Sequence, residues 1–221
     1  LLGNEAIARG AWEAGVKVSS AYPGTPSTEV SESLALYPEV YAEWAPNEKV
    51  AAEVAIGASI AGVRSMCGMK HVGVNVAADP LYTAAYTGVR GGMVVVAADD
   101  PGIYSSQNEQ DSRMVARAAM IPGLEPSDSA EAKEFTKYAF ALSEKYDTPV
   151  MLRSTTRLSH SQGLVELGER QVPDDIPYER DAVKYVMMPA NAIRRHVAVE
   201  ARMKQMAEDA SGLPINRAEY R

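Results

Sequence analysis

The sequence predicts an α/β protein, a three-layer α/β/α sandwich around a mostly parallel sheet. Three observations carry this reading. Apolar runs of strand length at 16–22, 64–70, 92–98 and 149–153 alternate with longer stretches suited to helices. Val150-Met151-Leu152 is apolar at consecutive positions, as a parallel strand covered on both faces must be. Helical stretches close at Gly15 and Gly62, the residue type that accepts the left-handed conformation after a last turn.

Taken in order, Asn4 is placed to cap a helix running through Trp12, and 16–22 follows as a strand. Ser27 caps a helix to about Leu36, and 40–44 is a short strand. Glu48 opens a helix of small apolar residues that runs to 61. The strands 64–70 and 92–98 enclose a helix over 75–86, with 70–75 as a loop. A helix over 111–119 leads to a strand at 121–125. Ser127 and Ser129 are candidate caps for the helix to Lys145, and 149–153 is the last strand. Residues 1–162 then form one domain. The stretch 163–188, rich in Pro, Asp and Glu, reads as a linker or excursion, and 189–221 as a long charged helix with a tail. No internal repeat is apparent.

Composition narrows the function classes. The chain has 221 residues, 46% of them hydrophobic, which is ample for a core. Its 22 basic and 29 acidic residues leave a formal charge of −7, which argues against nucleic acid or an anionic membrane as partner. No run approaches the roughly 18 apolar residues of a membrane span, and no secretory signal is visible. Cys67 is the only cysteine, so the chain forms no internal disulfide and cannot supply the four thiolates of an iron–sulfur cluster. A reducing, cytoplasmic setting is expected. Because the chain opens on Leu1-Leu2 without methionine, a piece of a longer protein is also expected.

Two segments about twenty residues apart carry the chemistry. Tyr22-Pro23-Gly24-Thr25-Pro26-Ser27 follows an apolar run, as would a rigid loop at the carboxyl end of a strand, where open α/β sheets bind ligands. Pro46-Asn47-Glu48-Lys49 puts one carboxylate at the mouth of a close-packed helix. Position alone gives each a plainer meaning: an acid complementing the helix dipole, and a strand-to-helix turn. Asp99-Asp100 invites a metal reading, but two adjacent carboxylates without a nearby histidine fit loop capping better, and no metal ligand is assigned. His196 lies on a charged helix and reads as a solvated residue.

In combination with two further segments, Met69 to Ala77 and Ser105 to Arg113, these motifs resemble the pyrimidine-binding domain of the thiamine-diphosphate-dependent 2-oxoacid:ferredoxin oxidoreductases, and its indolepyruvate branch rather than its pyruvate branch. The resemblance covers 1–162 and implies the thiamine-diphosphate-binding fold. Glu48 stands nine residues before Gly57, the spacing of the family's cofactor-activating glutamate, which bonds a ring nitrogen of the aminopyrimidine and drives its tautomer switch. The resemblance further implies that the loop of Pro23, Gly24 and Thr25 meets cofactor and substrate carboxylate, Gly24 leaving room for an aryl group. Lys70 and His71 are candidates for stabilising negative charge, Gly73 and Asn75 for shaping the cofactor site, and Gln107 and Gln110 for reaching cofactor or substrate. Arg157 and His160 are candidates for the substrate pocket.

The Gly-Asp-Gly segment and downstream asparagine that hold Mg²⁺ and the diphosphate in thiamine enzymes do not occur here. The chain therefore offers the pyrimidine side alone and is expected to be inactive by itself. Mg²⁺ and iron–sulfur clusters would be held by regions absent from it. The implied reaction is oxidative decarboxylation of aryl pyruvates to acyl-coenzyme A, with electrons passed to ferredoxin. Implied partners are a diphosphate-binding domain of the same or another protomer, a beta subunit, ferredoxin, coenzyme A and a second copy of this domain. Two other readings stand beside it: the pyrimidine domain of a decarboxylase or transketolase-like enzyme, and a non-catalytic module dimerising through the 50–61 helix.

Overall fold

A computed structural model describes residues 1–174 and 176–216. Six strands, β1 (Val18–Ala21), β2 (Tyr41–Trp44), β3 (Ser65–Lys70), β4 (Met93–Asp99), β5 (Gly123–Leu124) and β6 (Val150–Thr155), form one sheet in the order β2-β1-β3-β4-β6-β5. Every pairing is parallel. The helices are α1 (Gly3–Glu13), α2 (Thr28–Leu34), α3 (Glu48–Ile60), α4 (His71–Val76), α5 (Ala78–Thr87), α6 (Ser112–Ala118), α7 (Ser129–Tyr146), α8 (Thr156–His160), α9 (Ala182–Tyr185) and α10 (Pro189–Ala210).

The consecutive apolar residues of the central strands serve two cores by turns. Met66, Val94, Val96, Val150 and Leu152 face α1, α2 and α7 through Ile7, Leu34 and Phe140. Their neighbours Cys67, Met69, Met93, Val95 and Met151 face α3, α4, α5 and α6 through Ala52, Ala55, Val74, Leu81 and Ala116. The period of two is that of a strand, and its apolar content on both faces is that of a covered parallel sheet.

Local chemistry corrects several expected caps. Asn4 lies inside α1, whose N-cap is Leu2, and its amide donates instead to Pro26 O (2.7 Å) and Glu29 (2.8 Å). Ser27 precedes α2, but its hydroxyl turns back to Gly24 O, so it closes the turn rather than capping the helix. Asp128, between the two expected serines, caps α7 by accepting from Glu131 N–H at 2.8 Å. The expected loop 70–75 is mostly helix: α4 starts directly after Lys70, and a break at Ala77 separates it from α5.

Residues 163–174 run across one end of the sandwich rather than away from it. Gly168 N–H donates to Glu13 at 2.6 Å, and the Arg170 guanidinium binds the carbonyls of Trp12 and Val16. The later helices are clamped at Asp147, a left-handed cap (φ 52°) whose carboxylate accepts from Val89 N–H, Lys184 and Arg195. Arg202 adds bonds to Asp147 O and Ala85 O, and its burial lowers the guanidinium to about 10.

Glu13 is 0% exposed and faces Arg9, Lys133 and Lys137. Burial alone would raise its carboxyl, but the Gly168 N–H and those three cations outweigh it and hold it at about 2, against an ordinary 4.5. The unfolded chain therefore binds this proton more tightly than the folded one. The resulting stability is complete above the ordinary value and lost as pH falls toward 2. Denaturant unfolding of the wild type and Glu13→Gln should show the wild-type advantage shrinking by about 3 kcal/mol between neutral pH and about pH 2. A gap that does not change with pH would contradict the ion cluster.

Candidate functional site

The chain order places a crevice between β1 and β3. From β1 the chain moves outward to β2 through α2 on one face, then returns across β1 to β3 through α3 on the other. Such a reversal leaves a gap beyond the carboxyl ends of the two strands, where open α/β sheets take ligands. Tyr22 to Ser27 leaves β1 here, Lys70 ends β3, and α3 begins here with Glu48.

Asn47 caps α3, its side-chain oxygen accepting from Val50 N–H at 3.0 Å. Ala51, Ala52 and Ala55 are buried, which lets the helix sit close on the sheet and fixes its first turn. Glu48 is half-buried there, and its side chain lies directly on Gly73 of α4. A Cβ at position 73 would stand 2.6 Å from Glu48 Oε1 and 2.7 Å from its Cγ, so a larger residue there would displace the carboxylate from its seat. Among the described residues this carboxylate has neither a hydrogen bond nor an ion pair.

The other side of the crevice is built by contact between loops. Gly24 packs on the stem of Lys70, where a Cβ would lie 3.1 Å from Cδ and 3.2 Å from Cγ. The space beside its Cα is thus filled by Lys70. The loop is closed by Gly24 N–H to the Thr28 hydroxyl (3.0 Å) and by the Ser27 hydroxyl to Gly24 O (2.9 Å). Thr25 and Pro23 are exposed, and the Thr25–Pro26 peptide is cis. Lys70 Nζ reaches Ser105 O at 3.2 Å, and buried His71 meets Asn108 O through Nε2 at 3.0 Å. Among the described residues, His71 Nδ1 is buried without a partner.

The segment 100–111 is therefore part of the site, and the two aspartates organise it. Asp99 takes the N–H and hydroxyl of Ser112 and the Arg153 guanidinium, which continues to Glu125. Asp100 accepts from Ser105 N–H, the Ser106 hydroxyl and the Thr156 hydroxyl, each at 2.8 Å. Burial opposes its charge, but these donors and Tyr104 N–H hold the carboxyl at about 2. Both aspartates are thus occupied in shaping the loop. Among the described residues no group of three or more His, Cys, Asp or Glu could hold a metal. No described helix is long and apolar enough to cross a membrane.

Of the predicted site residues, the structure gathers Gly24, Glu48, Lys70, His71 and Gly73 around the crevice. Gln107 and Gln110 lie on the same 100–111 loop, where Gln110 donates to the Asn108 side chain. Asn75 is exposed on the second turn of α4. Arg157 and His160 sit on α8; His160 is 3.8 Å from Glu29, and neither side chain bonds Glu48 or Lys70. Sequence reasoning did not single out Asn108 or Trp44, whereas the loop-capping reading of Asp99 and Asp100 agrees with the bonds they accept. Trp44 and Tyr104 stand exposed on the rim, 47% and 81%. The thiol of Cys67 is buried and pushed up to about 12, which makes it inert.

A family model described as "Pyruvate flavodoxin/ferredoxin oxidoreductase, thiamine diP-bdg" matches residues 9–217. "Indolepyruvate oxidoreductase subunit IorA" of Archaeoglobus fulgidus is 54% identical over 203 residues, 87% of this chain and 32% of that one. Its namesake from Methanothermobacter thermautotrophicus is 51% identical over 221 residues, 98% of this chain and 36% of that one. "2-oxoglutarate synthase subunit KorA" of the latter organism is 33% identical over 178 residues, 76% of this chain and 47% of that one. The chain thus spans about a third of the length of the IorA relatives. A solved 2-oxoglutarate:ferredoxin oxidoreductase from Magnetococcus marinus superposes with a TM-score of 0.73 at 20% identity, covering 94% of this chain and 45% of that one, and so shares the fold. With a matched family model over nearly its whole length, the chain belongs to the pyruvate flavodoxin/ferredoxin oxidoreductases, as their thiamine-diphosphate-binding domain.

Proposed function

We propose that this chain supplies the aminopyrimidine side of a thiamine diphosphate site in an oxidoreductase for aryl 2-oxo acids, with Glu48 as the cofactor-activating group. The observation that carries the reading is the state of Glu48: a half-buried carboxylate, seated on Gly73, with no partner among the described residues. Asp99, Asp100 and Glu13 are each spent on several donors, whereas Glu48 is rigidly placed and unspent. That fits a group held ready to accept a hydrogen bond from a ring nitrogen, and the Gly73 cradle sets its direction. When bound, the cofactor supplies a nucleophilic carbon for the keto group and an electron sink for decarboxylation. Thr25 and Gly24 would meet the substrate, and His71, its Nε2 engaged by Asn108 O, would border the cofactor.

The aryl substrate and the whole-protein reaction rest on the relatives: identity to the IorA chains exceeds that to KorA by about twenty points. Coenzyme A, ferredoxin, Mg²⁺ and iron–sulfur clusters would be served by other regions or a second subunit. A second copy of this domain, or the diphosphate domain, would cover α3, where Gly57 faces open space. A non-oxidative thiamine enzyme is less favoured, since the relatives are named as oxidoreductase or synthase subunits.

In the complete complex, Glu48→Gln should preserve the fold and lower turnover by about 100-fold, slowing proton exchange at the cofactor's C2 in parallel. Gly73→Ala, which pushes Glu48 off its seat, should cost about tenfold or more without touching Glu48 itself. Near-normal exchange and turnover in both variants would remove Glu48 from the activating role. Competition between indolepyruvate and pyruvate, read with a dye acceptor, should favour the aryl acid at least about tenfold in kcat/KM. Equal rates would reject aryl specificity. Sedimentation of the isolated chain should show self-association, and a strict monomer at tens of micromolar would count against a dimer through α3.

A further inference from the structure

We propose that Lys70 binds the carboxylate of the 2-oxo acid and that Asp100 positions Lys70 for this task through the 100–111 loop. The proposal rests on the thiamine-site reading above and adds the group that meets the substrate's charge. Lys70 is half-buried at the end of β3, its stem under Gly24 and its Nζ on Ser105 O at 3.2 Å. An ammonium has three donors, and among the described residues Lys70 makes no ion pair. Other cations are committed, Lys49 to Asp79 at 2.9 Å, Arg113 to Asp111 at 2.9 Å and Arg153 to Asp99 at 2.6 Å, while Arg157 on α8 makes no ion pair among the described residues and is the rival candidate. A lysine held only by a neutral carbonyl has donors left for an incoming anion, whereas a carboxylate partner would occupy them. The crevice thereby sets a cation on the Gly24 side and a free carboxylate on the Gly73 side, the two needs of a charged acid and an activated cofactor.

Asp100 determines where the Ser105 carbonyl stands. It is 1% exposed and takes three donors, two from the loop itself (Ser105 N–H and the Ser106 hydroxyl) and one from Thr156 beyond β6. The loop is also closed by Gly102 N–H to Glu109 at 2.8 Å and by Ile103 N–H to Asp100 O at 3.1 Å. A continuous path thus runs from Thr156 through Asp100 and Ser105 to Lys70 and Gly24, joining the ends of β6, β4, β3 and β1. Asp100 acts through Lys70 and is a positioning residue.

The test uses the complete complex loaded with thiamine diphosphate and an unreactive probe, indolelactate, in which a hydroxyl replaces the keto group. Lys70→Met should weaken indolelactate binding about tenfold or more, with Lys70→Arg restoring part of it, while affinity for the indolelactate methyl ester and for the cofactor stays the same. Asp100→Asn should weaken indolelactate binding in the wild type but add little in the Lys70→Met background, because both changes remove one interaction. If Asp100→Asn does not fold, Thr156→Val removes one of the Asp100 donors and should show the same dependence on Lys70. Equal losses for acid and ester, a loss confined to cofactor binding, or an unchanged indolelactate affinity in Lys70→Met would overturn the proposal. So would a larger loss in Arg157→Gln than in Lys70→Met. Absence of cofactor binding to the wild-type complex would instead overturn the underlying thiamine reading, a separate and recognisable result.

Discussion

The parallel register of the sheet is the constraint on which everything else depends. Parallel strands cannot be joined by tight turns, so each connection must cross the sheet as a helix and every strand ends at the same edge. Here β3 is paired on both sides, by β1 and by β4, and the chain reverses direction across β1 to reach it. The crevice is a consequence of that reversal, not an addition to it. The crossing helix α3 must lie close to the sheet to span it, and Ala51, Ala52 and Ala55 allow this. The same close packing that completes the layer fixes the first turn, and with it Glu48.

Charges are distributed by the same logic. Carboxylates buried for structural reasons are saturated with donors: Glu13 by three cations and an N–H, Asp99 by Ser112 and Arg153, Asp100 by two hydroxyls and an N–H. Each of these environments is built around a carboxylate's acceptor oxygens, and removing a partner would leave a buried group uncompensated. Glu48 and Lys70 are different. One lies against a glycine and the other against a carbonyl, so both retain bonding capacity at the crevice.

Much of this was legible in the sequence because it depends on short-range pattern. The apolar runs of β4 and β6, the glycines after α1 and α3, and the Tyr22 to Ser27 loop all declare themselves within a few residues. What escaped depends on partners far along the chain. Asn4 has the type of a helix cap, yet Pro26 and Glu29 recruit its amide. Asp128 outcompetes Ser127 and Ser129 as a cap because the helix register gives it the Glu131 N–H, and flanking serines do not reveal that register. Lys70 to Asn75 has a glycine and two β-branched valines, a poor helical signal, but Val74 buries into the core and overrides it. On composition the stretch 163–188 reads as a linker or excursion, and nothing in its sequence announces that Gly168 and Arg170 bond to Glu13, Trp12 and Val16. Within the proposed site, the spacing of Glu48 to Gly57 is a sequence pattern, whereas its seat on Gly73 requires two helices from different crossovers to meet.

The central claim is that Glu48 is the carboxylate that engages the aminopyrimidine ring. The most direct measurement is a crystal structure of the complete complex with thiamine diphosphate bound. Glu48 should keep its place over Gly73 with a carboxylate oxygen about 2.7 Å from the ring nitrogen, the distance of a charge-assisted bond. A cofactor whose ring nitrogen meets another residue, or water, with Glu48 turned away from it, would contradict the assignment.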